Sequence, residues 1–271
     1  MEEAASVRLA EIRIYPVKSL RGDAHASAMV EPRGLAGDRR WLVVDPAGRF
    51  LTQRELHHMA LVAARNEPGG LALSAPSLPP IFVAFPAPGR PPRQVTIWRD
   101  TVSALPAGAD ADAWLTRALG VPCALVYQAN PASRPVNPAF AAPGDVVSFA
   151  DGYPLLAATT ASLADLNARL PAPVPMDRFR PNLVIDGAAP WAEDHWRRLR
   201  VGAALFRVPK PCDRCLIPSI DQETSLRPDP EEPLRTLKTF RRDATGRVLF
   251  GVNLVPQVFG NVRVGDLVVV E

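Results

Sequence analysis

The chain has 271 residues, of which 47% are hydrophobic and 22% charged, a balance that favours a packed core and excludes a disordered chain. No run of apolar residues is long enough for a transmembrane helix, and the first ten residues lack the apolar segment of a secretory signal. Three cysteines are too few for a disulfide framework, and a net charge of +3 does not indicate nucleic-acid binding. We therefore expect a cytoplasmic protein with no membrane and no nucleic acid among its partners.

The first hundred residues have the patterns of β-strands. The first segment alternates apolar and polar side chains, as a half-buried strand does. Turn residues at 46–48, and again at Gly69 and Gly70, separate two pairs of strand-like segments and predict two hairpins. The strands predicted in this half are 9–15, 41–45, 49–55, 60–65, 71–74 and 94–105.

Helical patterns are sparse and lie mainly in the second half. A helix is predicted over 110–119, where an acidic first turn precedes an apolar face and Gly120 supplies the C-cap. A second is predicted over 161–170, with Ser162 and Asp165 as a capping pair. The other predicted elements are strands at 182–186, 204–208, 216–220, 248–255 and 264–270 and a short helix at 233–241.

These elements predict a mainly β fold with a few helices (α+β). Such a composition favours a barrel-like β architecture over a parallel, doubly wound sheet. The segment 130–143 contains four prolines and is predicted to be irregular, either as a crossing between two halves or as a site loop.

Two thiols three residues apart, Cys212 and Cys215, form the most informative motif. Lys210 and Arg214 stand beside them, and an electropositive setting favours the thiolate, a ligand for thiophilic metals. A structural zinc site would need a second ligand pair, and Cys123 is alone.

Two other interpretations of this motif remain open. In a thioredoxin-like redox motif the two cysteines would begin a helix, whereas a strand is predicted at 216–220. Two ordinary buried cysteines would also satisfy the spacing.

Three separated segments place cations at the ends of predicted strands. Lys18 and Ser19 follow the first strand, Arg39 precedes the second, and Arg180 and Asn182 lead into a later one. Each alone is typical of a solvated surface, but together they match the requirement of a buried polyanionic cofactor. Phosphate-loop and dinucleotide fingerprints are absent, and no spacing indicates a pair of catalytic carboxylates.

Taken in chain order, these motifs resemble the MOSC family. The similarity is closest to the mitochondrial amidoxime-reducing component and its bacterial relatives, and it extends over nearly the whole chain. The matching segments are IYPVKS at 14–19, GDRRW at 37–41, SLADLN at 162–167, FRPN at 179–182, CDRC at 212–215, PLRTLK at 233–238 and FGVN at 250–253.

The resemblance implies an N-terminal MOSC β-barrel region over 1–125, a MOSC β-barrel domain over 126–271, and a molybdenum cofactor (Mo-molybdopterin) between them. It implies that Cys215 is the protein's ligand to the metal. The residues implied to hold the pterin and its phosphate are Lys18, Ser19, Arg39, Arg180 and Asn182. A further cofactor-contacting turn is implied at Asp151, Gly152 and Tyr153, although eukaryotic relatives have small hydroxyl residues in place of the last two.

The implied function is a molybdenum-dependent oxidoreductase. It would reduce N-hydroxylated compounds such as hydroxylamines, amidoximes and N-hydroxylated bases by oxygen-atom transfer, with Cys215 as the catalytic ligand. The chain ends at Glu271 without an iron–sulfur domain, so we expect a separate electron donor, either a ferredoxin or a small haem protein with its reductase. Two alternatives remain: a carrier of the cofactor, or of sulfur through Cys215, without reductase activity, and a non-enzymatic β module that binds anions or nucleic acid.

Overall fold

The computed structural model describes residues 6–87, 89–130 and 134–271. The fold is mainly β with a few helices, as predicted. The strands are β1 Arg8–Ile14, β2 Asp23–His25, β3 Ser27–Glu31, β4 Gly34–Leu35, β5 Trp41–Val44, β6 Ala63–Glu67, β7 Gly70–Ala75, β8 Leu78–Ala84, β9 Arg93–Ile97, β10 Asp100–Pro106, β11 Ala124–Tyr127, β12 Leu155–Thr159, β13 Leu183–Asp186, β14 Arg198–Val201, β15 Ala204–Arg207, β16 Pro211–Asp213, β17 Leu249–Val258, β18 Gly260–Arg263 and β19 Val268–Val270. The α-helices are α1 Ala109–Leu119, α2 Thr160–Asn167 and α3 Leu234–Lys238, and 3-10 helices span His57–Leu61, Met176–Phe179, Ala192–His195 and Ile217–Ser219.

A nine-stranded sheet joins the two ends of the chain. Its order is β19-β14-β15-β17-β12-β13-β1-β2, and β16 pairs with β17 beside this path. Strand β1 pairs with β13 so that Ile12 lies opposite Leu183, and both side chains are buried in the same apolar core. The N-terminal strands therefore fold as part of the C-terminal sheet, and the domain division after residue 125 stays a prediction.

Residues between these strands form the smaller half of the molecule. Strands β5-β11-β10-β9 form one sheet and β6-β7-β8 another. Helix α1 packs against them through Trp114 and Leu115, beneath the buried indole of Trp41. The hairpin predicted around Gly70 is present as β6 and β7, and α1 ends at Gly120 in the left-handed conformation, as predicted. In the part of the chain that the structure describes, no helix is long and apolar enough to cross a membrane.

The strand predicted over 49–55 is wrong. A single bridge, Val44 to Phe50, joins this segment to β5, because β11 pairs with one edge of β5 and Val17 takes part of the other edge at Trp41. The chain then turns where the carbonyl of Thr52 accepts the backbone N–H of Glu55 at 3.1 Å. In this turn the side chain of Gln53 is completely buried and that of Arg54 is partly buried.

The strand predicted over 216–220 is also wrong, because the segment is the 3-10 helix Ile217–Ser219. Pro218 lacks the N–H that a strand would donate, and the hydroxyl of Ser219 closes the turn by donating to the carbonyl of Leu216 at 2.7 Å. One reason for setting aside a thioredoxin-like motif thus disappears, although Cys212 itself lies in a strand, β16.

The start of α2 differs from its prediction. Thr159 is the N-cap, and its hydroxyl accepts the backbone N–H of Ser162 at 3.1 Å. Asp165 instead binds Arg169 and the indole N–H of Trp191. The helix begins one residue earlier than predicted because threonine after a strand is a good N-cap.

Candidate functional site

A cavity of about 490 Å³ is lined by residues from both halves of the chain. All nine residues predicted for the site contribute to its wall, and their roles there stay predictions. They are Lys18, Ser19, Arg39, Asp151, Gly152, Tyr153, Arg180, Asn182 and Cys215. The polar and aromatic residues of this wall that the sequence analysis did not assign to the site include Arg54, Trp98, Arg214 and Asn253.

The C-x-x-C motif reaches the cavity on β16. This strand pairs with β17, with Pro211 opposite Val252. The side-chain amide of Asn253 donates to the carbonyl of Pro211 at 3.3 Å, which ties the strand down next to the motif. Cys215 follows directly, before the 3-10 helix that ends at Ser219. Both cysteines are therefore held at one end of the cavity by backbone pairing.

The predicted electropositive setting of the thiols is only partly realised at Cys212. Burial raises the pKa of this thiol, and the guanidinium of Arg214, whose Nη1 lies 3.2 Å from the sulfur, opposes the rise. Lys210 pairs with Asp213 at 2.8 Å rather than with a thiol. Cys212 is therefore held mainly as a neutral thiol.

A buried hydrogen-bond network fixes the position of Arg39. The carboxylate of Asp38 is completely buried and accepts from the backbone N–H of Tyr15 at 2.9 Å and from the amide of Asn182 at 3.0 Å. Its other oxygen accepts from Arg39 at 2.6 Å. The amide oxygen of Asn182 also accepts from Arg39, at 3.0 Å, so three elements of the fold meet at this guanidinium.

Asn182 uses its whole hydrogen-bonding capacity within the protein. Besides Asp38 and Arg39, it contacts the carbonyl of Arg13 at 3.1 Å and the backbone N–H of Leu156 at 3.2 Å. An amide has two donor and two acceptor positions, and all four are engaged. Asn182 therefore acts by placing Arg39, through contacts made inside the fold.

Two guanidinium groups lie over the ring of Tyr15. The guanidinium carbon of Arg39 is 4.6 Å from the ring centre and that of Arg180 is 4.3 Å away. Arg180 also donates to the carbonyl of Leu20 at 2.7 Å. Burial lowers the pKa of Arg180 to about 10. No carboxylate of the described residues lies within ion-pair distance of this guanidinium group.

Asp151 joins the two halves at the other side of the cavity. It forms an ion pair with Lys18, a second with Arg54 at 3.4 Å, and it accepts the indole N–H of Trp98 at 3.3 Å. Burial alone would raise the pKa of this carboxyl, but Lys18 and Arg54 hold it well below its usual range. Burial opposes the charge of Arg54, whereas Asp151 raises its pKa.

Two small residues leave polar or open surface in the cavity wall. Ser19 adopts a left-handed backbone with φ 65°, and its carbonyl accepts from the buried amide of Gln53 at 2.8 Å. Its hydroxyl has no hydrogen-bond partner among the described residues. Space adjoins Gly152, where a Cβ would meet no atom within 4 Å. Both positions leave room for a bound group.

Arg214 carries the clearest unsatisfied donor of the site. Its Nη2 donates to the carbonyl of Phe179 at 2.8 Å, but its buried Nε has no partner in the structure as described. No carboxylate lies within ion-pair distance of Arg214 or Arg180 in the described residues. A buried and a partly buried guanidinium group without carboxylates, in a cavity that Lys18 also lines, suit an anionic ligand.

Two of the residues that the sequence analysis missed lie in turns. Arg54 lies in the turn that replaced the predicted strand at 49–55. Trp98 lies in the loop between β9 and β10, which divides the single strand predicted over 94–105. Nothing local in the sequence marked either residue. Among residues 6–87, 89–130 and 134–271, no group of three or more His, Cys, Asp or Glu residues is arranged to hold a metal ion.

Two family models match consecutive parts of the chain. The model described as "MOSC N-terminal beta barrel domain" matches residues 6–122, and the "MOSC domain" model matches 144–269. Known proteins match over most of the chain as well. The mitochondrial amidoxime-reducing component 1 of Mus musculus is 32% identical over 95% of this chain and 80% of its own length, and that of Homo sapiens is 32% identical over 95% and 81%.

A third relative has a different activity in its name. The molybdenum cofactor sulfurase of Oryza sativa subsp. japonica is 29% identical over 92% of this chain, which spans 32% of that longer protein. The two domain models in sequence, with the near full-length similarity to the amidoxime-reducing components, establish the family. The chain is a member of the MOSC family, a mainly β protein with a MOSC N-terminal β-barrel region followed by a MOSC domain.

Proposed function

We propose that this protein is a molybdenum-cofactor-dependent reductase of N-hydroxylated compounds. The observation that carries the proposal is the presence, in one cavity, of the Cys215 thiol and two guanidinium groups that have no carboxylate partner among the described residues, the buried Arg180 and the partly buried Arg214. A pterin cofactor that carries a phosphate and binds its metal through sulfur requires both features. The relatives named for amidoxime reduction support the same assignment.

The residues present fit such a cofactor. The orphaned Nε of Arg214, the hydroxyl of Ser19 and the amine of Lys18 are donors for phosphate or ring oxygens. The open space at Gly152 lets backbone approach closely without a side chain in the way. Arg39 is held rigidly by Asp38, so its placement costs nothing further on binding. Cys215 is the one thiol of the motif that we assign as metal ligand.

The cofactor, when bound, supplies a molybdenum centre that removes oxygen from an N–O bond in a two-electron reduction. The overall reaction consumes one N-hydroxylated molecule, two electrons and two protons, and releases the N–H compound and water. The protein binds the cofactor's anionic part, presents the thiolate and keeps the reacting end of the cavity sheltered. The electrons come from a separate donor protein, which we propose to be a ferredoxin or a small haem protein with its reductase.

The decisive experiment compares three proteins made in a host that synthesises the molybdenum cofactor. The parent, Cys215→Ala and Cys212→Ala are purified and assayed for molybdenum content and for reduction of benzamidoxime with a chemical electron donor. We expect near-stoichiometric molybdenum and turnover in the parent, no turnover in Cys215→Ala, and a mild change in Cys212→Ala. Equal losses in both variants would refute the single-ligand assignment, and absence of molybdenum from the parent would refute the function.

The similarity to a molybdenum cofactor sulfurase supports a second candidate. In that case Cys215 would carry a persulfide sulfur or the cofactor itself without reducing a substrate. Mass spectrometry of the purified protein tests it directly, since a persulfide adds one sulfur atom, and dithiothreitol removes it. A protein loaded with molybdenum that reduces no N-hydroxylated compound with any donor, yet transfers sulfur, would favour this second function. The cytoplasmic location stays a prediction under either one.

A further inference from the structure

An aromatic side chain from the N-terminal half reaches the wall of the cavity. Strand β9 ends at Ile97 and β10 begins at Asp100, so the loop between them consists of Trp98 and Arg99. The backbone of Trp98 is left-handed, with φ 55°. Two-residue hairpin loops of this kind favour asparagine or glycine, and a bulky residue there is strained. Local turn chemistry therefore does not account for tryptophan at this position.

Three contacts fix the indole in place. Its N–H donates to the carboxylate of Asp151 at 3.3 Å, and the guanidinium carbon of Arg54 lies 4.8 Å from the ring centre. The ring of Phe50 packs against it with centroids 4.9 Å apart and a tilt of 58°. The ring is thus held by a hydrogen bond, a cation and a second aromatic ring, so little entropy is lost when a ligand packs on it.

Much of this fixed ring still faces open space. Trp98 is 44% exposed and also lines the cavity that contains Cys215. The indole is therefore an apolar, aromatic part of a wall otherwise rich in arginine. Aromatic rings in cavity walls bind flat ligands by stacking, which does not require a particular arrangement of polar groups.

We propose that Trp98 is a specificity-determining residue that stacks against the flat, conjugated part of an N-hydroxylated substrate. The protein then prefers aromatic amidoximes and N-hydroxylated ring compounds to small aliphatic ones. The positive φ of Trp98 strains the backbone, and strained residues are typical of functional sites. A role in substrate selection accounts for an indole at this strained position. This inference rests on the proposed function for its catalytic test, and on direct binding for an independent one.

The test compares benzamidoxime with acetamidoxime, which carry the same N–OH group on a flat ring and on a methyl group. Trp98→Asn removes the indole and supplies a residue that the loop favours, so folding is preserved. Trp98→Phe keeps a flat ring but loses the N–H to Asp151. Phe85→Ala is the matched control, because Phe85 is also 44% exposed and does not line this cavity.

We expect Trp98→Asn to lower kcat/KM for benzamidoxime about tenfold, mainly through KM, and to change the value for acetamidoxime by less than about threefold. Trp98→Phe should resemble the parent, as should Phe85→Ala. Equal losses for both substrates in Trp98→Asn would overturn the proposal, since the indole would then only support the site. No loss for either substrate would overturn it as well.

Isothermal titration calorimetry separates this inference from the proposed function. Benzamidoxime is titrated into the parent and into Trp98→Asn without an electron donor, so no turnover is needed. Suppose that benzamidoxime binds more tightly to the parent in this titration, but that the parent reduces neither amidoxime in the kinetic assay. That result would refute the reductase function and retain the role of Trp98 in binding. Equal binding to both proteins would overturn the role of Trp98 whatever the activity of the parent.

Discussion

Asn182 and Asp38 are joined by a 3.0 Å hydrogen bond in the interior of the protein, between the residue before β13 and the turn that precedes β5. Asp38 is completely buried and Asn182 is 1% exposed. The contact unites segments 144 residues apart in the chain and presents Arg39 to the cavity. A carboxylate without access to water depends on each of its donors, and this amide is one of three such donors.

Asn182→Ala should therefore destabilise the protein and misplace Arg39. Loss of the amide leaves Asp38 with one donor fewer and orphans the backbone N–H of Leu156, so we expect the free energy of unfolding to fall by about 2 kcal/mol. Urea denaturation measures the change. Asn137→Ala, at an exposed position, should change it by less than about 0.5 kcal/mol. Equal stability of parent and Asn182→Ala would contradict the network's role.

Arg134 clamps the segment that carries Asp151. Its buried guanidinium donates to the carbonyls of Ser148 at 2.9 Å and Asp151 at 2.8 Å, and also to that of Ala150, while Nε binds Asp100 at 2.7 Å. Arg134→Met should leave these carbonyls unpaired, lower the free energy of unfolding by about 2 kcal/mol or more, and speed hydrogen exchange over 147–152.

An exposed arginine provides the control for that prediction. Arg49 pairs with two carboxylates, Asp45 at 3.4 Å and Glu55 at 3.0 Å, and its side chain is 55% exposed. Arg49→Met should change stability by less than about 1 kcal/mol, because water screens such pairs. If Arg134→Met and Arg49→Met change the free energy of unfolding equally, the buried hydrogen bonds of Arg134 contribute no more to stability than an exposed ion pair.

Local patterns predicted those elements whose boundaries are set by neighbours in the chain. Helix α1 ends at Gly120 because a left-handed glycine terminates it, and the sequence contains that information. The segment 49–55 has strand-like side chains, but part of the edge of β5 that faces it is taken by Val17, from an earlier part of the chain. Which strands pair depends on the tertiary packing of the whole chain, so it cannot be predicted from the sequence of one segment.

The candidate site shows the same division. The family resemblance predicted Lys18 and Arg180, and the structure brings both into one cavity with Cys215. Arg54 and Trp98 reach that cavity only because two turns of the smaller half face the larger sheet. Their sequence neighbours would suit an exposed loop equally well. The position of Lys18 and Arg180 in the cavity wall was therefore predictable from motifs, whereas that of Arg54 and Trp98 depends on the packing of the two halves, and the roles of all four stay predictions.

The unpaired guanidinium groups should determine how well the cofactor is retained. Arg180→Gln and Arg214→Gln each remove a positive charge of the cavity wall that has no carboxylate partner among the described residues, so we expect molybdenum content after purification to fall about tenfold. Inductively coupled plasma mass spectrometry measures it, and circular dichroism confirms the fold. Arg178→Gln serves as the control, because Arg178 pairs with Asp221 at 2.8 Å and does not line the cavity. Parent-like metal content in both variants would show that neither arginine holds the cofactor.

Lys18 should make the stability of the cofactor-free protein depend on pH. Burial lowers its pKa from 10.5 to about 8, although the ion pair with Asp151 acts in the opposite direction. Between about pH 8 and 10.5 the unfolded chain keeps a proton that the folded protein has released. The contribution of Lys18 to the free energy of unfolding is therefore least favourable below pH 8 and rises with pH across this window.

The comparison of the parent with Lys18→Met isolates that contribution, because other titrating groups cancel in the difference. We expect the unfolding free energy of the parent, minus that of the variant, to increase between pH 8 and 10.5 with a slope of at most about 1.4 kcal/mol per pH unit. Urea denaturation at half-unit intervals measures it. Lys238→Met, at an exposed position in α3, controls for loss of a surface charge. A difference that falls with pH would mean that the fold raises the pKa of Lys18, with the ion pair to Asp151 outweighing burial.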